Sequence, residues 1–247
     1  MGIYKYFNFP NIAKINQKIF KKNIYDKANL NTKQKDIFKN DIESIVRDYV
    51  LSPKNVNIPV YKDEQRVYEE IEIFSIELRN KIDEKQISEI IMRLIPYPCL
   101  IIFKFEDEYK ISAAHQRLNN VDASKNVLEQ IHITNWFKED EDQNFLEKLD
   151  VKNIDQTNYY TIYSEYIIKI IIFNASKSTG IDLNEENIEQ IEQLKKEIDA
   201  IEEEMITLKN KIKKESRFSE KMDLNIKIKN LEQSLSKKIE NLKSFEK

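Results

Sequence analysis

The chain has 247 residues, of which 34% are charged and 10% aromatic, and its formal net charge is −3. A net charge this close to zero argues against strong global attraction to nucleic acid or membranes, and the aromatic content argues against a disordered chain. Only two glycines occur in the whole sequence. A glycine-rich phosphate-binding loop is therefore excluded, and with it the P-loop ATPases and the dinucleotide-binding folds.

The charges are unevenly distributed along the chain. Residues 1–60 contain eleven basic and five acidic side chains, whereas residues 61–150 contain twelve and twenty. The favoured interpretation is that the two regions complement each other within one fold, and the alternative is a local basic face for a polyanion. Within the basic region, Lys21 and Lys22 are the candidate contacts for such a partner.

We expect an intracellular, cytoplasmic protein that does not enter a membrane. Cys99 is the only cysteine, so no disulfide can form within the chain, and its apolar surroundings predict a buried structural thiol. Residues 1–10 lack the apolar core of a signal peptide. The longest apolar run, residues 166–173, is interrupted by Lys169 and is too short to span a bilayer.

The first long element is predicted to be a helix that starts at a cap at Asn31 or Thr32. Its apolar residues would share one helical face: Ile37, Phe38, Ile42, Ile45, Val46 and Tyr49. The helix should end before Ser52-Pro53, because the residue before a proline disfavours helical backbone. Residues 57–66 are predicted to form a loop.

The middle of the chain predicts a small mixed sheet. Residues 71–78 and 99–105 are apolar strands, and a helix over 83–94 separates them and stops at Pro96-Tyr97-Pro98. Residues 109–114 return as the partner of the second strand in a hairpin, and 131–137 form a fourth strand. The fold class is therefore α+β.

A second helix is predicted for residues 159–176, although the β-branched run inside it makes a strand the competing assignment. Gly180 marks the break that follows this helix. Asp182 or Asn184 is expected to cap the next helix, which belongs to a separate C-terminal element.

Residues 187–247 contain two apolar heptad runs and no Gly or Pro. The first run is Ile191, Leu194, Ile198, Ile201, Met205, Leu208 and Ile212. The second is Leu224, Ile228, Leu231, Leu235, Leu242 and Phe245, with Lys238 in the missing position. The phase of the pattern shifts by two residues between Lys213 and Met222, so one straight helix would not keep a single apolar stripe.

The preferred interpretation of this phase shift is an antiparallel coiled-coil hairpin, with arms of about 40 Å at roughly 1.5 Å per residue. A parallel homodimer through one unbroken helix is the alternative. Phe218 at the tip of the hairpin, together with Lys213, Lys214 and Arg217 beside it, is a candidate contact for a partner or a polyanion if it is exposed. The favoured interpretation is that Phe218 folds back over the end of the hairpin core. Ser219 is expected to cap the second helix.

Glu77-Leu78-Arg79 is the one segment that invites comparison with an enzyme motif, the E-x-K half of PD-(D/E)xK nucleases. That chemistry needs two carboxylates on adjacent strands to hold a divalent ion, and a lysine to orient water. Arg79 replaces the lysine poorly because it stays protonated. The second carboxylate would be Asp63 or Glu70, and an ordinary ion pair on the sheet is the favoured interpretation.

Other catalytic and metal signatures are not found in the sequence. His115 and His132 are the only histidines, and no Cys/His ligand spacing or G-x-S-x-G motif accompanies them. His115 is expected at an exposed strand end. We therefore predict no metal and no cofactor.

The order of several segments resembles an uncharacterised bacterial family, domain of unknown function 4391. The segments that carry the resemblance are residues 19–22, 51–53, 57–58, 73–78, 95–98, 134–136, Arg217-Phe218 and Asn225. The resemblance implies a gene setting near DNA methyltransferases and helicases of restriction-like, phage-defence clusters, and it implies no reaction. Family members can have Lys at the position of Arg79, so the arginine here weakens the nuclease alternative.

Together these observations predict an α+β domain over residues 1–180, with a small mixed sheet and flanking helices, and a helical hairpin over 185–247. The predicted function is a non-enzymatic accessory subunit of a restriction-like defence system, which binds a larger methyltransferase, helicase or nuclease. DNA contact through that complex and a homodimer stay open. The alternatives are a metal-dependent nuclease that uses Glu77 and Arg79, and a direct nucleic-acid-binding module.

Overall fold

The computed structural model describes residues 2–119 and 126–246. The chain divides into two compact units, Met1–Ile170 and Ile171–Lys247. The first contains a mixed sheet with helices, and the second contains two long helices that pack on each other as a hairpin. The predicted α+β class with a C-terminal helical hairpin is therefore confirmed. In the part of the chain so described, no helix combines the length and the apolar character needed to cross a bilayer.

The described residues form eight α-helices and nine strands. The helices are α1 (Tyr4–Phe7), α2 (Lys21–Lys27), α3 (Thr32–Asn40), α4 (Glu84–Leu94), α5 (Gln143–Glu147), α6 (Tyr159–Thr179), α7 (Ile188–Lys214) and α8 (Phe218–Lys243). The strands are β1 (Lys14–Lys18), β2 (Ile42–Leu51), β3 (Tyr61–Lys62), β4 (Val67–Tyr68), β5 (Ile71–Leu78), β6 (Cys99–Phe105), β7 (Glu108–Leu118), β8 (Asn126–Ile133) and β9 (Phe137–Lys138).

The main sheet has the strand order β1-β2-β5-β6-β7-β8, and β9 pairs with β7 beside this path. Among the strands of the described residues, only β5 and β6 run parallel. Helix α4 connects them, because a parallel pair needs a crossover. The predicted strands over 71–78 and 99–105 and the helix between them are confirmed. Asp83 caps α4 by accepting a hydrogen bond from the Gln86 N–H at 3.0 Å.

The centre of the sheet is buried on both faces. Residues 99–103 of β6 are all 0% exposed, as a continuous apolar run predicts for a central strand. One face packs against α4 through Phe74, Ile87 and Ile91. On the other face, the hydroxyl of Tyr163 in α6 reaches the backbone of β6 and β7.

The predicted helix over residues 31–51 is correct only in its first half. Asn31 caps α3 in a reciprocal capping box with Gln34, with bonds of 2.9 and 3.0 Å. The helix ends at Asn40, and residues 42–51 are strand β2 between β1 and β5. The helical expectation for 42–51 was wrong because pairing with two strands outweighs a local apolar spacing that fits both structures.

Two further boundaries differ from expectation for identifiable reasons. The expected loop over 57–66 includes a small hairpin of β3 and β4, whose turn is held by the Asp63 carboxylate accepting from Gln65 N–H at 2.7 Å. The expected strand over 131–137 is broken after Ile133. There the Thr134 hydroxyl accepts a hydrogen bond from Ile111 N–H at 2.9 Å in place of a strand partner.

Helix α6 confirms the helical assignment over 159–176, and it ends before Gly180, whose positive φ of 72° favours glycine. The expected helix caps beyond it were wrong. Asn187 precedes α7 and Arg217 precedes α8, and neither makes a side-chain capping bond. Asp182, Asn184 and Ser219 therefore do not have the capping roles that local residue type suggested.

Strand β1 forms one edge of the sheet and is irregular. Its pairing with β2 shifts register between Lys14 and Gln17, and Asn16 lies there with φ 51°, in the left-handed region. This is the geometry of a β-bulge. All five residues of β1 are exposed.

The hairpin buries the two predicted apolar runs against each other. Met205, Leu208 and Ile228 are each 7–8% exposed and form its core. Further residues from both runs pack around them: Ile201, Ile212, Leu224, Leu231 and Leu235. Lys238, in the position where the second run lacks an apolar residue, pairs with Glu197 across the hairpin at 2.5 Å.

Tyr163 joins β6 to β7 beyond the point where their ladder ends. Regular pairing stops at Ile101 opposite Ser112. The buried Tyr163 hydroxyl accepts from the Ala114 N–H at 3.0 Å and is 2.7 Å from the Cys99 carbonyl oxygen, to which it donates. One hydroxyl thereby satisfies two backbone groups that would otherwise be buried without partners.

We predict that Tyr163→Phe lowers the free energy of unfolding by about 1–3 kcal/mol, because it leaves those two backbone groups unpaired. Urea denaturation measures the effect. Tyr61→Phe is the matched control, since it removes an exposed hydrogen bond to Asp63 and should change stability by less than about 0.5 kcal/mol. Equal losses in the two variants would contradict the assigned role of Tyr163.

Candidate functional site

The tip of the hairpin is a three-residue connection, Glu215 to Arg217, without glycine or proline. The Glu215 carboxylate turns the chain by accepting from the Ser216 and Arg217 N–H groups at 2.8 and 2.9 Å. These bonds, the one from Arg217 N–H foremost, lower the pKa of Glu215 to about 2. Glu215 is therefore ionised at neutral pH and fixes the turn.

Helix α8 carries a second apolar stripe that α7 does not cover. Phe218, Met222 and Ile226 are 77%, 50% and 55% exposed. Their spacing of four residues places them along one side of the helix. Leu224 and Ile228 pack in the hairpin core instead. The favoured expectation that Phe218 folds back over the end of the hairpin core was therefore wrong. Phe218 belongs instead to a longer exposed surface, which we call the tip stripe (Phe218, Met222 and Ile226).

The tip half of the hairpin is basic. Residues 209–229 contain eight Lys or Arg and three acidic side chains, whereas residues 188–204 contain two and seven. Lys213 and Lys214 are exposed. Arg217 is partly neutralised because it pairs with Glu215 and with Glu220, the latter at 2.6 Å. The free basic charge of the tip thus comes more from its lysines than from Arg217.

Lys21 and Lys22 open helix α2 in the first unit, apart in sequence from the tip residues of the second unit. Lys21 donates from Nζ to the Ile42 carbonyl oxygen and is half-buried. Desolvation, followed by the charge of Arg79, lowers the pKa of Lys21. Lys22 is exposed. Of the two lysines, Lys22 is the one whose ammonium is presented to solvent.

Glu77 and Arg79 have separate partners. Glu77 in β5 lies opposite Lys104 in β6 and accepts from its ammonium at 3.2 Å, and its other neighbour across the sheet is Ser44. Arg79 pairs with Glu43. The nuclease arrangement needs a second carboxylate beside Glu77. The residues beside Glu77 on the two neighbouring strands are Lys104 in β6 and Ser44 in β2, and neither is a carboxylate.

The acidic residues considered as the second metal ligand lie elsewhere. Glu70 precedes Glu77 by seven residues along an extended strand, about 23 Å at roughly 3.3 Å per residue. The Asp63 carboxylate is already bonded to Tyr61, Gln65 and Arg66. Across residues 2–119 and 126–246, no three His, Cys, Asp or Glu side chains come together as a metal-binding group.

His115 lies within β7 in an aromatic cluster, so the expected exposed strand end was wrong. Tyr160 stacks on its ring with centroids 5.0 Å apart, and Tyr61 stacks on Tyr160 at 4.7 Å. No local pattern predicts this cluster, because its members lie on four separate elements, β3, β4, β7 and α6.

The hydrogen bonds around His115 assign its tautomer. Tyr68 Oη accepts from the Gln116 N–H at 3.2 Å, so its own proton is free to be donated to His115 Nδ1 at 2.7 Å. The ring proton is then on Nε2, 3.4 Å from the Ser164 hydroxyl. Ser164 donates its proton to the Tyr160 carbonyl oxygen at 2.7 Å. His115 consequently cannot activate Ser164 as a base in this arrangement.

Burial, reinforced by the charge of Arg66, lowers the pKa of His115 from 6.5 to about 4. Below pH 6.5 the unfolded chain binds a proton at this residue, whereas the folded chain does so only near pH 4. The contribution of neutral His115 to the free energy of unfolding is therefore fully present above pH 6.5 and is lost as the pH falls through 4. We predict a loss of about 3 kcal/mol from this residue between those limits.

His115→Asn tests this, because the Asn side-chain oxygen can still accept from Tyr68 but cannot titrate. Urea denaturation of both proteins at pH 7.5 and pH 4.5 should show a smaller drop in unfolding free energy for the variant. If the unfolding free energy of both proteins falls by the same amount, groups other than His115 cause the pH dependence.

One of three comparisons with known proteins identifies a family. No curated protein and no solved structure matches the chain significantly. The family model described as domain of unknown function (DUF4391) matches residues 7–235, which include the sheet and most of both hairpin helices. The chain therefore belongs to the family domain of unknown function (DUF4391).

Proposed function

We propose that this protein is a non-enzymatic accessory subunit that binds a larger protein through its helical hairpin. The partner would be a methyltransferase, helicase or nuclease of a restriction-like, phage-defence system, which is the gene setting that the family resemblance implies. The α+β body would provide a further contact with the same assembly.

The observation that carries this proposal is the tip stripe. Helix α8 has one apolar side buried against α7 and another, Phe218, Met222 and Ile226, exposed by half or more. Exposed large apolar side chains in a row are typical of a protein interface. A helix that presents such a row is well suited to receive an amphipathic helix of a partner.

The charge of the tip indicates what kind of partner surface would fit. The excess of lysine and arginine over residues 209–229 favours an acidic rim around the apolar contact on the partner. Such a rim would speed association, and high salt would screen this effect. The apolar contact would be little affected by salt.

Direct nucleic-acid binding is the second candidate, and the basic tip favours it. Lys213, Lys214 and Arg217 of the second unit, and separately Lys21 and Lys22 of the first, are the candidate phosphate contacts. The tip stripe argues for a protein, because methionine and isoleucine side chains gain nothing from a phosphate backbone. A nucleic-acid complex should weaken steeply with salt and with charge reversal at the lysines.

The nuclease alternative has weaker support. Glu77 is paired with Lys104, and the neighbouring strands present no second carboxylate beside it. Mg²⁺-dependent nicking that persists in Glu77→Ala would eliminate Glu77 as the metal ligand.

We predict that the double variant Met222→Ala/Ile226→Ala weakens binding to the proposed methyltransferase or helicase partner by at least about tenfold. The change deletes exposed apolar contact area while keeping good helix formers in α8. Size-exclusion co-elution of the purified proteins, followed by titration calorimetry, measures the effect.

The matched control is Gln233→Ala/Ser236→Ala, two exposed positions of the same helix outside the tip stripe. It should bind like the unaltered protein. No co-elution of the unaltered protein with either proposed partner would count against the accessory-subunit proposal. Equal weakening by both double variants would count against the tip stripe.

A further inference from the structure

A cavity of about 310 Å³ opens in the first unit beside strands β1, β2 and β5. Ile45 and Phe74 line it from the sheet, Ile24 from α2, and Ile91 and Leu94 from α4. This volume is at the lower end of the range for small-molecule sites, which are mostly apolar with a few convergent polar groups. It has room for about ten water-sized groups.

An ion pair between Arg47 and Glu72 lines the cavity, and its arginine side chain is 31% exposed. Glu72 is 4% exposed and accepts from Arg47 Nη1 through Oε1 at 3.3 Å. Arg47 Nη2 donates to the Gln17 side-chain oxygen at 2.7 Å. All three residues line the cavity. Burial raises the pKa of Glu72, and the charge of Arg47 opposes that shift.

Each member of this pair has one buried polar atom without a partner. These atoms are Oε2 of Glu72, an acceptor, and Nε of Arg47, a donor. Buried polar atoms are normally bonded, because leaving them unpaired costs stability. One atom is a donor and the other an acceptor, and both belong to residues that line the same apolar cavity. A bound molecule that forms a hydrogen bond with each atom would explain why both lack a partner.

We infer that this cavity binds a small neutral molecule with an apolar body and an amide-like edge, in which a hydrogen-bond donor lies next to an acceptor. The donor would bond to Glu72 and the acceptor to Arg47. A cation could satisfy only Glu72 and would be repelled by Arg47, and an anion would meet the reverse problem. Aromatic carboxamides, lactams and nucleobases belong to the fitting class.

Three molecules of nearly the same shape test this inference: benzamide, which is neutral, benzoate, which is an anion, and benzamidine, which is a cation. Each has nine non-hydrogen atoms, close to the capacity of the cavity. Titration of the full chain, followed by ¹H–¹³C NMR of isoleucine methyl groups, should show benzamide binding at least tenfold more tightly than the other two. The shifted signals should include Ile24, Ile45 and Ile91.

The variant Glu72→Gln should change which of the three molecules binds most tightly, and should not simply abolish binding. It removes the negative charge and leaves Arg47 without an ionic partner, so benzoate should now bind more tightly than benzamide. Glu77→Gln is the matched control, because it removes a carboxylate from the same strand outside the cavity and should keep the preference for benzamide.

Absence of benzamide binding up to 10 mM would overturn the inference, as would equal affinities for all three molecules, since equal affinities would indicate an apolar cavity without selectivity. If Glu72→Gln does not fold, the three titrations of the unaltered protein still decide. The result is independent of the accessory-subunit proposal, because no partner protein takes part.

Discussion

Strands β5 and β6 are the constraint on which the first unit depends. Nearly all their residues are buried, whichever side of the sheet they lie on, so neither face can be left to solvent at this point. Helix α4 covers one face and is itself the crossover that makes the parallel pairing feasible. On the other face, Tyr163 in α6 completes the backbone bonding between β6 and β7. The candidate ligand cavity lies between this sheet, α2 and the C-terminal end of α4.

In the second unit, a shift in heptad phase gives α8 its two apolar sides. Glu215 breaks the helix with its own carboxylate, and the residues before and after the turn then meet as a hairpin. The inward stripe uses Leu224 and Ile228. Met222 and Ile226, which would continue the phase of the first helix, are left on the outside. The shift in heptad phase that predicted the hairpin therefore also produces the tip stripe, the surface proposed to bind the partner.

Local signals sufficed where a strong local pattern coincided with the final fold. The Asn31 cap, the strands over 71–78 and 99–105, α4 and the hairpin stripes were all predictable, because capping, apolar runs and helical spacing are properties of neighbouring residues. Strand β2 was not, since its apolar spacing also fits a helix and its partners lie far away in the chain.

The same limit applies to the candidate sites. The exposure of the tip lysines was predictable, because a turn between two helical stripes exposes its charged residues. The exposure of Phe218 was not, because an apolar side chain at a turn is expected to fold back onto the hairpin core. The Arg47–Glu72 pair was not, because Arg47 lay in a segment assigned to a helix and its partner is 25 positions away. The buried environment of His115 was missed for a related reason: four elements contribute to it.

The irregular first strand has a consequence for how molecules of this protein meet one another in concentrated solution. A flat, regular edge would offer a template on which another chain could extend the sheet and start aggregation. The bulge at Asn16 twists that template, and Lys14 and Lys18 place like charges on it. Two copies brought edge to edge would therefore repel each other, and this side of the molecule is protected against uncontrolled growth into larger assemblies.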